Sequence, residues 1–361
     1  MTKVTDLKAF DKEKAKSFTE RMLSDIAGTV VTHLCAIGDR LGLFKDLAQR
    51  GPASVIEFAD RNSIDRRYAQ EWLEGLASAG YVDFDSSACV FSLPKEHERL
   101  LAQDTHPMYQ GAMCNLLTYS LEPMEKITQA FKTGGGVSQS DYSPELFKTM
   151  QRTSALRYDN FLLSTWLPDM PQVVQKLEQG VDVADIGCGR GTALSILAEA
   201  FPKSRFWGYD AFAPQVSGAQ DAADAKGLSK QITFEVLDAS SEIPREFDLI
   251  FTFDVIHDMA KPREGLANIR RHLRPDGIYV LQEISAADER HDNRGAEATI
   301  KYGMSLSYCM TTSLAHGGEG LGTLGMSERV VRELCSEAGF GTVRKLPCSN
   351  DFTSLFEILA A

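Results

Sequence analysis

The sequence has no long apolar run and no excess of positive charge. No window approaches the roughly 18 consecutive apolar residues that a membrane-spanning helix requires, so we expect no membrane segment. The first twenty residues mix Lys, Asp and Glu without a continuous apolar stretch, so we expect no secretory signal and a cytoplasmic protein. The formal net charge of −12 argues against nucleic acid as the main partner, because proteins that neutralise phosphates carry basic surfaces.

The sequence also lacks closely spaced cysteines. Its seven cysteines are scattered, and their spacing matches neither a zinc knuckle nor a redox motif. Reduced, mostly buried thiols are the simplest interpretation. Carboxylates with metal-ligand spacing do not stand out either, and we therefore expect no metal.

What is present is the composition of a globular protein with more than one domain. The chain has 361 residues, of which 43% are hydrophobic and 24% charged. We expect a winged-helix-like dimerisation domain over 1–105, a helical connector over 106–165 that contributes to a substrate pocket, and an α/β domain over 166–361.

The first hundred residues have the pattern of three helices and a hairpin. Apolar residues recur at helical spacing over 31–41 and 66–80, and a short helix is expected between them at 55–62. Two short strands, 81–84 and 89–93, flank a polar turn. This order is typical of a winged helix.

A winged helix has two interpretations, a DNA-binding module or a packing and dimerisation module. The helix that would read DNA carries Arg66, Arg67, Glu71 and Glu74, a mixed rather than a basic face. The dimerisation module is therefore preferred.

After residue 180 the pattern changes to alternating strands and helices. Strands are expected at 181–186, 205–209, 232–236, 249–253 and 278–283, with helices at 192–200 and 214–226 between the first three. This alternation predicts an α/β fold with a doubly wound, mostly parallel sheet. The last two strands, 342–346 and 353–359, suggest an antiparallel hairpin.

A glycine-rich turn joins the first strand to the first helix. Gly187, Gly189 and Gly191 follow Asp185 at the strand end. Glycine permits a positive φ and lets a ligand approach the backbone closely. The helix that follows presents free N–H groups and a partial positive charge, which suit a carboxylate or a phosphate.

Two acidic residues follow at the ends of the next strands. Asp210 is placed to accept hydrogen bonds from both hydroxyls of a ribose, and Asp238, with Ala239 beside it, is placed to meet an adenine amino group. Each feature has an ordinary alternative, a loop without a ligand or a surface cap. Together and in this order they favour a nucleotide-like ligand.

The third glycine comes one residue earlier than in a dinucleotide fingerprint. The glycine turn, Asp210, Asp238, the run 247–251 and the segment 273–278 resemble the motifs of class I S-adenosylmethionine-dependent methyltransferases. The resemblance covers about residues 180–285 and implies a seven-stranded sheet whose last strand is antiparallel. It implies S-adenosyl-L-methionine as cofactor. The residues it assigns to the cofactor are Asp185, Gly187, Gly189, Gly191, Asp210, Ala211, Asp238, Ala239 and Asp254.

The whole chain resembles the small-molecule O-methyltransferases that join an N-terminal winged-helix dimerisation domain to this catalytic domain. The resemblance implies a homodimer in which the first domain of one subunit helps to close the substrate pocket of the other. It also strengthens the preference for dimerisation over DNA binding.

In that family a His-Asp pair after the fourth strand carries the general base. His257 is the match here, Glu283 matches the acid that orients it, and Glu319 is the nearest match to a second acid, in a region whose spacing differs from the plant enzymes. An imidazole suits the task because its pKa lies close to neutrality. The alternative is that His257 only packs or touches the donor, as in other methyltransferases.

The acceptor pocket is expected between 108–118, 161–166 and 304–310. Its methionines and Tyr308 suit an aromatic or otherwise flat small molecule, although such a row is also typical of a core. Three functions stay open: a methyltransferase acting on a hydroxyl, a methyltransferase fold with another or no activity, and a winged-helix regulator that senses a nucleotide-like ligand. The sequence does not choose among O, N, S and C as the acceptor atom.

Overall fold

The computed structural model describes residues 10–350 and 352–360. The first nine of the twenty residues in which we expect no secretory signal lie outside the described residues. The chain divides into two compact units, 1–118 and 119–361. The sequence placed the end of the first domain earlier, near residue 105. None of the helices in the described ranges is both long and apolar enough to cross a membrane.

The first unit begins with a 30-residue helix whose two ends are fixed by specific residues. Asp11 caps it by accepting hydrogen bonds from the backbone N–H groups of residues 13 and 14, and Gly42 ends it in the left-handed conformation with φ 70°. The elements of this unit are α1 (Lys12–Leu41), α2 (Leu43–Arg50), α3 (Val55–Asn62), α4 (Arg66–Ser78), β1 (Asp83–Asp85), β2 (Val90–Ser92), α5 (Lys95–Leu101) and α6 (Gly111–Ser120), the last of which crosses the boundary.

The winged-helix pattern predicted for this unit is confirmed. β1 and β2 form an antiparallel hairpin after α3 and α4. Phe58 and Trp72 stack at the centre of the core with ring centroids 5.7 Å apart. On α4, Arg66 pairs with Asp60 and Arg67 pairs with a glutamate one helical turn away, so both arginines are already neutralised by acidic neighbours.

The second unit alternates strands and helices from residue 182 onward, as the sequence predicts. Its helices are α7 (Met124–Thr133), α8 (Pro144–Phe161), α9 (Pro171–Gln179), α10 (Thr192–Ala200), α11 (Ala213–Ala225), α12 (Pro262–His272), α13 (Gly295–Met304), α14 (Met310–Ala315) and α15 (Glu328–Glu337). Its strands are β3 (Asp182–Ile186), β4 (Arg205–Asp210), β5 (Ile232–Val236), β6 (Phe247–Phe253), β7 (Leu273–Ile284), β8 (Val343–Lys345) and β9 (Thr353–Leu359).

Seven strands form one sheet within the part of the chain that the structure describes. Their order is β5-β4-β3-β6-β7-β9-β8. The pairs from β5 to β7 are parallel, and β9 is antiparallel to both of its neighbours. The seven-stranded, mostly parallel sheet with an antiparallel last strand is therefore confirmed.

The strand β7 begins earlier than predicted. Leu273 pairs with Phe247, but the next paired residues are Ile278 and Leu249, so the register shifts between them. The segment 274–277, expected as a turn into the strand, forms the unpaired stretch between these two pairs. It lies at the end of the sheet opposite the glycine turn.

The sheet is buried on both faces. Neighbouring residues of β3, Val183 and Ala184, point to opposite faces and belong to two separate apolar clusters. Because both faces are covered, the polar groups that follow the parallel strands at their carboxyl ends are concentrated at one edge. That edge is where open α/β sheets bind ligands.

Candidate active site

The three glycines of the turn after β3 are required for two different reasons. Gly187, Gly189 and Gly191 all have positive φ values, of 76°, 53° and 72°. A Cβ on Gly187 would lie 2.4 Å from a methyl of Val255, and one on Gly191 would lie 2.5 Å from the ring of Phe234. A Cβ on Gly189 would meet nothing within 4 Å. The outer glycines are thus required by packing, and the middle one faces open space that a ligand can enter.

Asp210 connects the glycine turn to the end of β4. Its Oδ2 accepts a hydrogen bond of 2.9 Å from the N–H of Gly189, and its Oδ1 accepts one of 2.9 Å from the N–H of Phe212. Burial raises the pKa of this carboxyl, although both hydrogen bonds oppose the rise. Each oxygen retains a second lone pair for a further donor.

Asp185 is a buried acid with an unused oxygen. Its residue is 2% exposed, and its Oδ1 has no hydrogen-bond partner among the described residues. Burial, and then the neighbouring Asp210, raise the pKa of Asp185 to about 8. Such a group favours a ligand that brings a hydrogen-bond donor or a positive charge.

Asp238 and Asp254 are the two remaining acids at strand ends, and Asp238 is the more exposed of the two. Asp238 is exposed, follows β5 by two residues, and accepts hydrogen bonds of 2.7 Å from the N–H and the hydroxyl of Ser240. Ala239 beside it is 9% exposed and its carbonyl accepts a 3.0 Å bond from Asn268. Ala211, next to the acid of β4, is exposed.

Asp254 is held by groups that the sequence did not indicate. It has φ 56°, a left-handed conformation uncommon outside glycine. Its Oδ1 accepts a 2.7 Å hydrogen bond from Gln282, its N–H donates to the carbonyl of Gln282 at 2.9 Å, and its Oδ2 pairs with Arg157. Helix α8, which carries Arg157, precedes the sheet in sequence, so spacing offered no signal for this ion pair.

His257 and Glu283 form a buried pair. The Nδ1 of His257 lies 2.5 Å from Oε2 of Glu283, while Oε1 of Glu283 accepts a 2.8 Å hydrogen bond from the N–H of Ile256. His257 is 3% exposed and Glu283 is fully buried. A carboxylate only accepts hydrogen bonds, so Nδ1 carries the proton and Nε2 keeps its lone pair when the imidazole is neutral.

The topology explains why these two side chains meet. His257 lies in the 3-10 turn Ile256–Asp258 that follows β6, and Glu283 lies at the end of β7, the parallel neighbour of β6. Burial acts to lower the pKa of His257, but Glu283 and Cys309 outweigh it, and the pKa is raised well above its ordinary value. The family resemblance predicts that Glu283 orients His257, and the structure places the two side chains in contact.

Cys309 is a site residue that the sequence did not single out. It ends the π-helical turn Ser305–Cys309, is buried, and accepts a 3.2 Å hydrogen bond at Sγ from the hydroxyl of Thr323. Its Sγ, a ring nitrogen of His257 and a carboxylate oxygen of Asp258 all lie within 4.8 Å of one another. Burial raises the pKa of Asp258 to about 7. Cys309 is distant in sequence from His257 and Asp258, so the spacing of the sequence did not predict this cluster.

Glu319 lies elsewhere. Its Oε2 accepts a 3.3 Å hydrogen bond from Arg263, its side chain is 38% exposed, and its N–H donates to the carbonyl of Ala260. The loop itself approaches the base, because the N–H of Gly322 donates to the carbonyl of His257 at 3.0 Å. The structure therefore brings the loop, but not the Glu319 carboxylate, to the buried pair.

Aromatic side chains lie beside the same cluster. Tyr308 packs edge-on against Tyr142 with centroids 5.3 Å apart, and Phe147 packs against Phe212 with centroids 5.0 Å apart. Tyr308 is buried, and burial followed by the charge of Asp258 raises its pKa well above the ordinary value. Of the segments expected to line the acceptor pocket, 304–310 is thus placed near the buried pair.

The segment 161–166 is placed differently. Trp166 is 3% exposed and stacks on Phe253 with centroids 6.4 Å apart, so its ring belongs to the core beneath the sheet. The third expected segment, 108–118, lies within the first unit.

In comparisons with known proteins the chain matches two domain families, and it matches curated proteins over part of its length. Residues 184–279 match a model described as a methyltransferase domain, and residues 29–103 match an Rv2258c-like winged HTH domain. An uncharacterized protein, syc1184_c, of Synechococcus sp. is 32% identical over 113 residues, which are 30% of this chain and 27% of that protein. The chain spans less than half the length of the curated relatives it first matches.

Solved structures resemble the chain along nearly its whole length. The mitomycin 7-O-methyltransferase MmcR has a TM-score of 0.68 at 20% identity and covers 97% of this chain and 100% of its own. The O-methyltransferase NcsB1 from neocarzinostatin biosynthesis, solved with S-adenosyl-L-homocysteine and 1,4-dihydroxy-2-naphthoic acid, has a TM-score of 0.67 at 18% identity and covers 94% and 98%. At these identities the likeness shows the fold.

The sheet order, the winged hairpin and both domain matches agree with one another. The chain therefore joins a winged helix-turn-helix domain to a methyltransferase domain, and it has the class I S-adenosylmethionine-dependent methyltransferase fold of the winged-helix-containing O-methyltransferases.

Proposed function

We propose that this protein transfers the methyl group of S-adenosyl-L-methionine to a hydroxyl of a small-molecule acceptor. The observation that carries the proposal is the buried contact of His257 with Glu283 at the sheet edge that also holds the glycine turn. A carboxylate-oriented imidazole is the arrangement that a general base needs, and the turn is the arrangement that a nucleotide-like donor needs.

The charge of the sheet edge fits a cationic donor. Asp185 is buried beside the half-buried Asp210, the pKa of each is raised, and the Oδ1 of Asp185 has no partner among the described residues. The sulfonium and ammonium groups of S-adenosyl-L-methionine would relieve this repulsion, whereas the pyrophosphate of a dinucleotide would add to it. The residues present therefore fit the sulfonium donor better than NAD.

The residues proposed to hold the donor are those at the carboxyl ends of β3 to β6. The turn Gly187–Gly191 and the N-terminus of α10 would receive its amino-acid part, and Asp210 would accept from its ribose hydroxyls. Asp238 and Ala239 would contact the adenine, with Asp185, Ala211 and Asp254 completing the set. When bound, the donor supplies a methyl carbon already activated by a positively charged sulfur.

The base proposed for the reaction is Nε2 of His257. Because Nδ1–H is directed to Glu283, Nε2 of the neutral imidazole accepts the proton that leaves the acceptor hydroxyl. The positive charge of a bound sulfonium donor acts against the raised pKa of His257 and favours this neutral form. The Glu283 carboxylate then stabilises the imidazolium that forms, as the acid of a hydrolytic triad does. Glu319 has no part in this proposal, since its carboxylate pairs with Arg263.

An aromatic acceptor fits the surroundings of the base. The ring of Tyr308 is edge-on to both Tyr142 and Phe147 next to the cluster. Buried aromatic surface favours flat ligands through stacking and edge contacts. The naphthoic acid in the NcsB1 complex is an acceptor-sized molecule of this class bound to the same fold.

We also propose that the chain forms a homodimer through its first unit. The helix α1 exposes an apolar stripe at four-residue intervals, formed by Phe18, Met22, Ile26 and Val30, which are 47 to 62% exposed. A stripe of this length on one face of a helix is typical of a surface that is covered by another helix.

The cysteines agree with a cytoplasmic location, which we also propose. All seven are free thiols in the structure, and four of them are buried. Free thiols without disulfides are typical of a reducing compartment.

Calorimetric titration of the purified protein tests the donor. We expect S-adenosyl-L-methionine and S-adenosyl-L-homocysteine to bind and NAD not to bind. Binding without any turnover across a panel of phenols, naphthols and amines would support an inactive fold or a ligand sensor instead. Binding of NAD but not of the sulfonium would overturn the proposal.

A further inference from the structure

Three side chains with metal-binding atoms meet beside the proposed base. His257 and Asp258 follow β6, and Cys309 ends the π-helical turn after α13, with all three ligand atoms within 4.8 Å of one another. We infer that this cluster binds a thiophilic divalent cation of the zinc class, and that the cation inhibits methyl transfer by occupying the Nε2 lone pair of His257. The inhibitory part of the inference rests on the proposed function.

The donor set matches the preference of zinc. An imidazole nitrogen, a thiolate sulfur and a carboxylate oxygen are its three common protein ligands. Bonds of about 2.0 to 2.3 Å in a tetrahedron separate ligand atoms by roughly 3.3 to 3.8 Å. The present atoms lie within 4.8 Å of one another, so they need to approach by at most about 1.0 to 1.5 Å. Small rotations about side-chain bonds supply a movement of this size.

The groups behind the ligands are arranged as they are around known metal sites. Glu283 holds Nδ1 of His257 at 2.5 Å, the carboxylate-histidine contact that fixes which nitrogen is offered to a metal. The hydroxyl of Thr323 donates to Sγ of Cys309 at 3.2 Å, which holds the sulfur in position. Two of the three ligands therefore already have an orienting partner.

The charge balance favours a dication. Asp258 and Glu283 bring two carboxylates to one imidazole, and Cys309 adds a thiol that becomes anionic when it ligates. His257 is 3% exposed and Cys309 is 8% exposed, so solvent screens these charges weakly. A bound cation compensates them directly.

Metal binding and base catalysis exclude each other at this histidine. Nδ1 is committed to Glu283, so Nε2 is the one nitrogen available either to a cation or to the acceptor proton. Three protein ligands leave a fourth tetrahedral position open, as in zinc sites that carry a water. A cation bound there blocks proton removal and competes with the acceptor.

Cobalt titration of the chelator-treated full-length protein tests the site without any need for activity. We expect one Co²⁺ per chain, with the thiolate-to-cobalt absorption of a cysteine ligand, displaced by Zn²⁺. Cys309→Ser should abolish that absorption, and Asp258→Asn should weaken binding by at least about tenfold. Cys335→Ser, which alters a buried cysteine on α15, is the matched control and should bind as the parent does.

The inhibitory part is tested in the methyl-transfer assay. Zn²⁺ should lower turnover of the parent protein at the concentrations that displace Co²⁺, and raising the acceptor concentration should restore it. Absence of one-to-one cobalt binding in the parent, or the same cobalt spectrum in Cys309→Ser, would overturn the site. Binding without loss of turnover would overturn the competition. If the chelator-treated parent protein shows no methyl transfer, the proposed function is contradicted, and the cobalt titration still tests the metal site independently.

Discussion

Replacing Glu283 by glutamine should abolish most of the turnover while leaving the donor site intact. In the parent protein the two carboxylate oxygens accept from two different donors, the Nδ1–H of His257 at 2.5 Å and the N–H of Ile256 at 2.8 Å. A glutamine side chain has one accepting oxygen and one donating NH₂ group. If the oxygen keeps the backbone N–H of Ile256, the NH₂ group faces Nδ1.

That exchange forces the imidazole into the opposite tautomer. Nδ1 becomes the acceptor, the proton moves to Nε2, and His257 is no longer a base toward the acceptor hydroxyl. An acid-to-amide change behind a catalytic histidine has cost about 10⁴-fold in kcat in a serine protease, and a general base is worth about 10² to 10⁴-fold. We therefore expect kcat to fall by roughly 10²- to 10⁴-fold, or about 3 to 5 kcal/mol of transition-state stabilisation.

The assay is the rate of S-adenosyl-L-homocysteine release with a saturating acceptor, together with calorimetric Kd values for the donor. Glu357→Gln is the matched control, because Glu357 is a buried glutamate on the neighbouring strand β9 that pairs with Arg344. It should leave kcat within about threefold. A Glu283→Gln protein with normal kcat would refute the base assignment, and equal losses of kcat and donor affinity would point to a structural role.

Four further predictions concern the donor turn, the strand-end acids and the first unit. Asp210→Ala should weaken donor binding, whereas His257→Ala should spare donor binding and lower kcat; equal losses of affinity in calorimetry would refute this division of roles. Asp185→Asn should stabilise the donor-free protein increasingly between pH 5 and pH 8, by up to about 1.4 kcal/mol per pH unit. The reason is that the folded pKa of Asp185, about 8, lies above the unfolded value, so the unfolded parent chain loses this proton first as pH rises and the parent protein becomes less stable. A difference in melting temperature between variant and parent that does not change with pH would contradict this prediction. Gly187→Ala should lower stability by roughly 2 kcal/mol or more, because strain at φ 76° adds to a 2.4 Å contact with Val255, whereas Gly189→Ala, with open space at its Cβ, should lose mainly donor affinity. Ile26→Glu should convert the proposed dimer to a monomer in light scattering, while Ser24→Glu on the opposite face of α1 should not.

The sequence predicted the elements whose local pattern is strong. The strands 232–236 and 353–359 were predicted with the boundaries that the structure has, because apolar runs between polar or glycine-rich turns leave little choice. The start of β7 was missed, since Pro275 and Gly277 indicate a turn locally while pairing with β6 extends the strand across them. The part of α1 before residue 31 was missed as well, although Phe18, Met22, Ile26 and Val30 recur there at the spacing of a helix.

The site residues that follow strands directly could be predicted from the sequence, and those that come from distant helices could not. The glycine turn, Asp210, His257 and Glu283 follow strands directly, so topology alone places them at one edge. Arg157 and Cys309 reach this edge from helices far away in sequence, and only the packing of those helices reveals them. The Glu319 carboxylate pairs with Arg263 on α12, a partner that the spacing of the sequence did not indicate.

The most direct test of the central claim is methyl transfer itself, followed by mass spectrometry with isotope-labelled S-adenosyl-L-methionine and a panel of phenols and naphthols. We predict that at least one aromatic hydroxyl acquires the labelled methyl group, and that His257→Ala loses this product while it still binds the donor. A donor-binding protein that methylates none of them, or a His257→Ala variant that methylates as fast as the parent, would contradict the account.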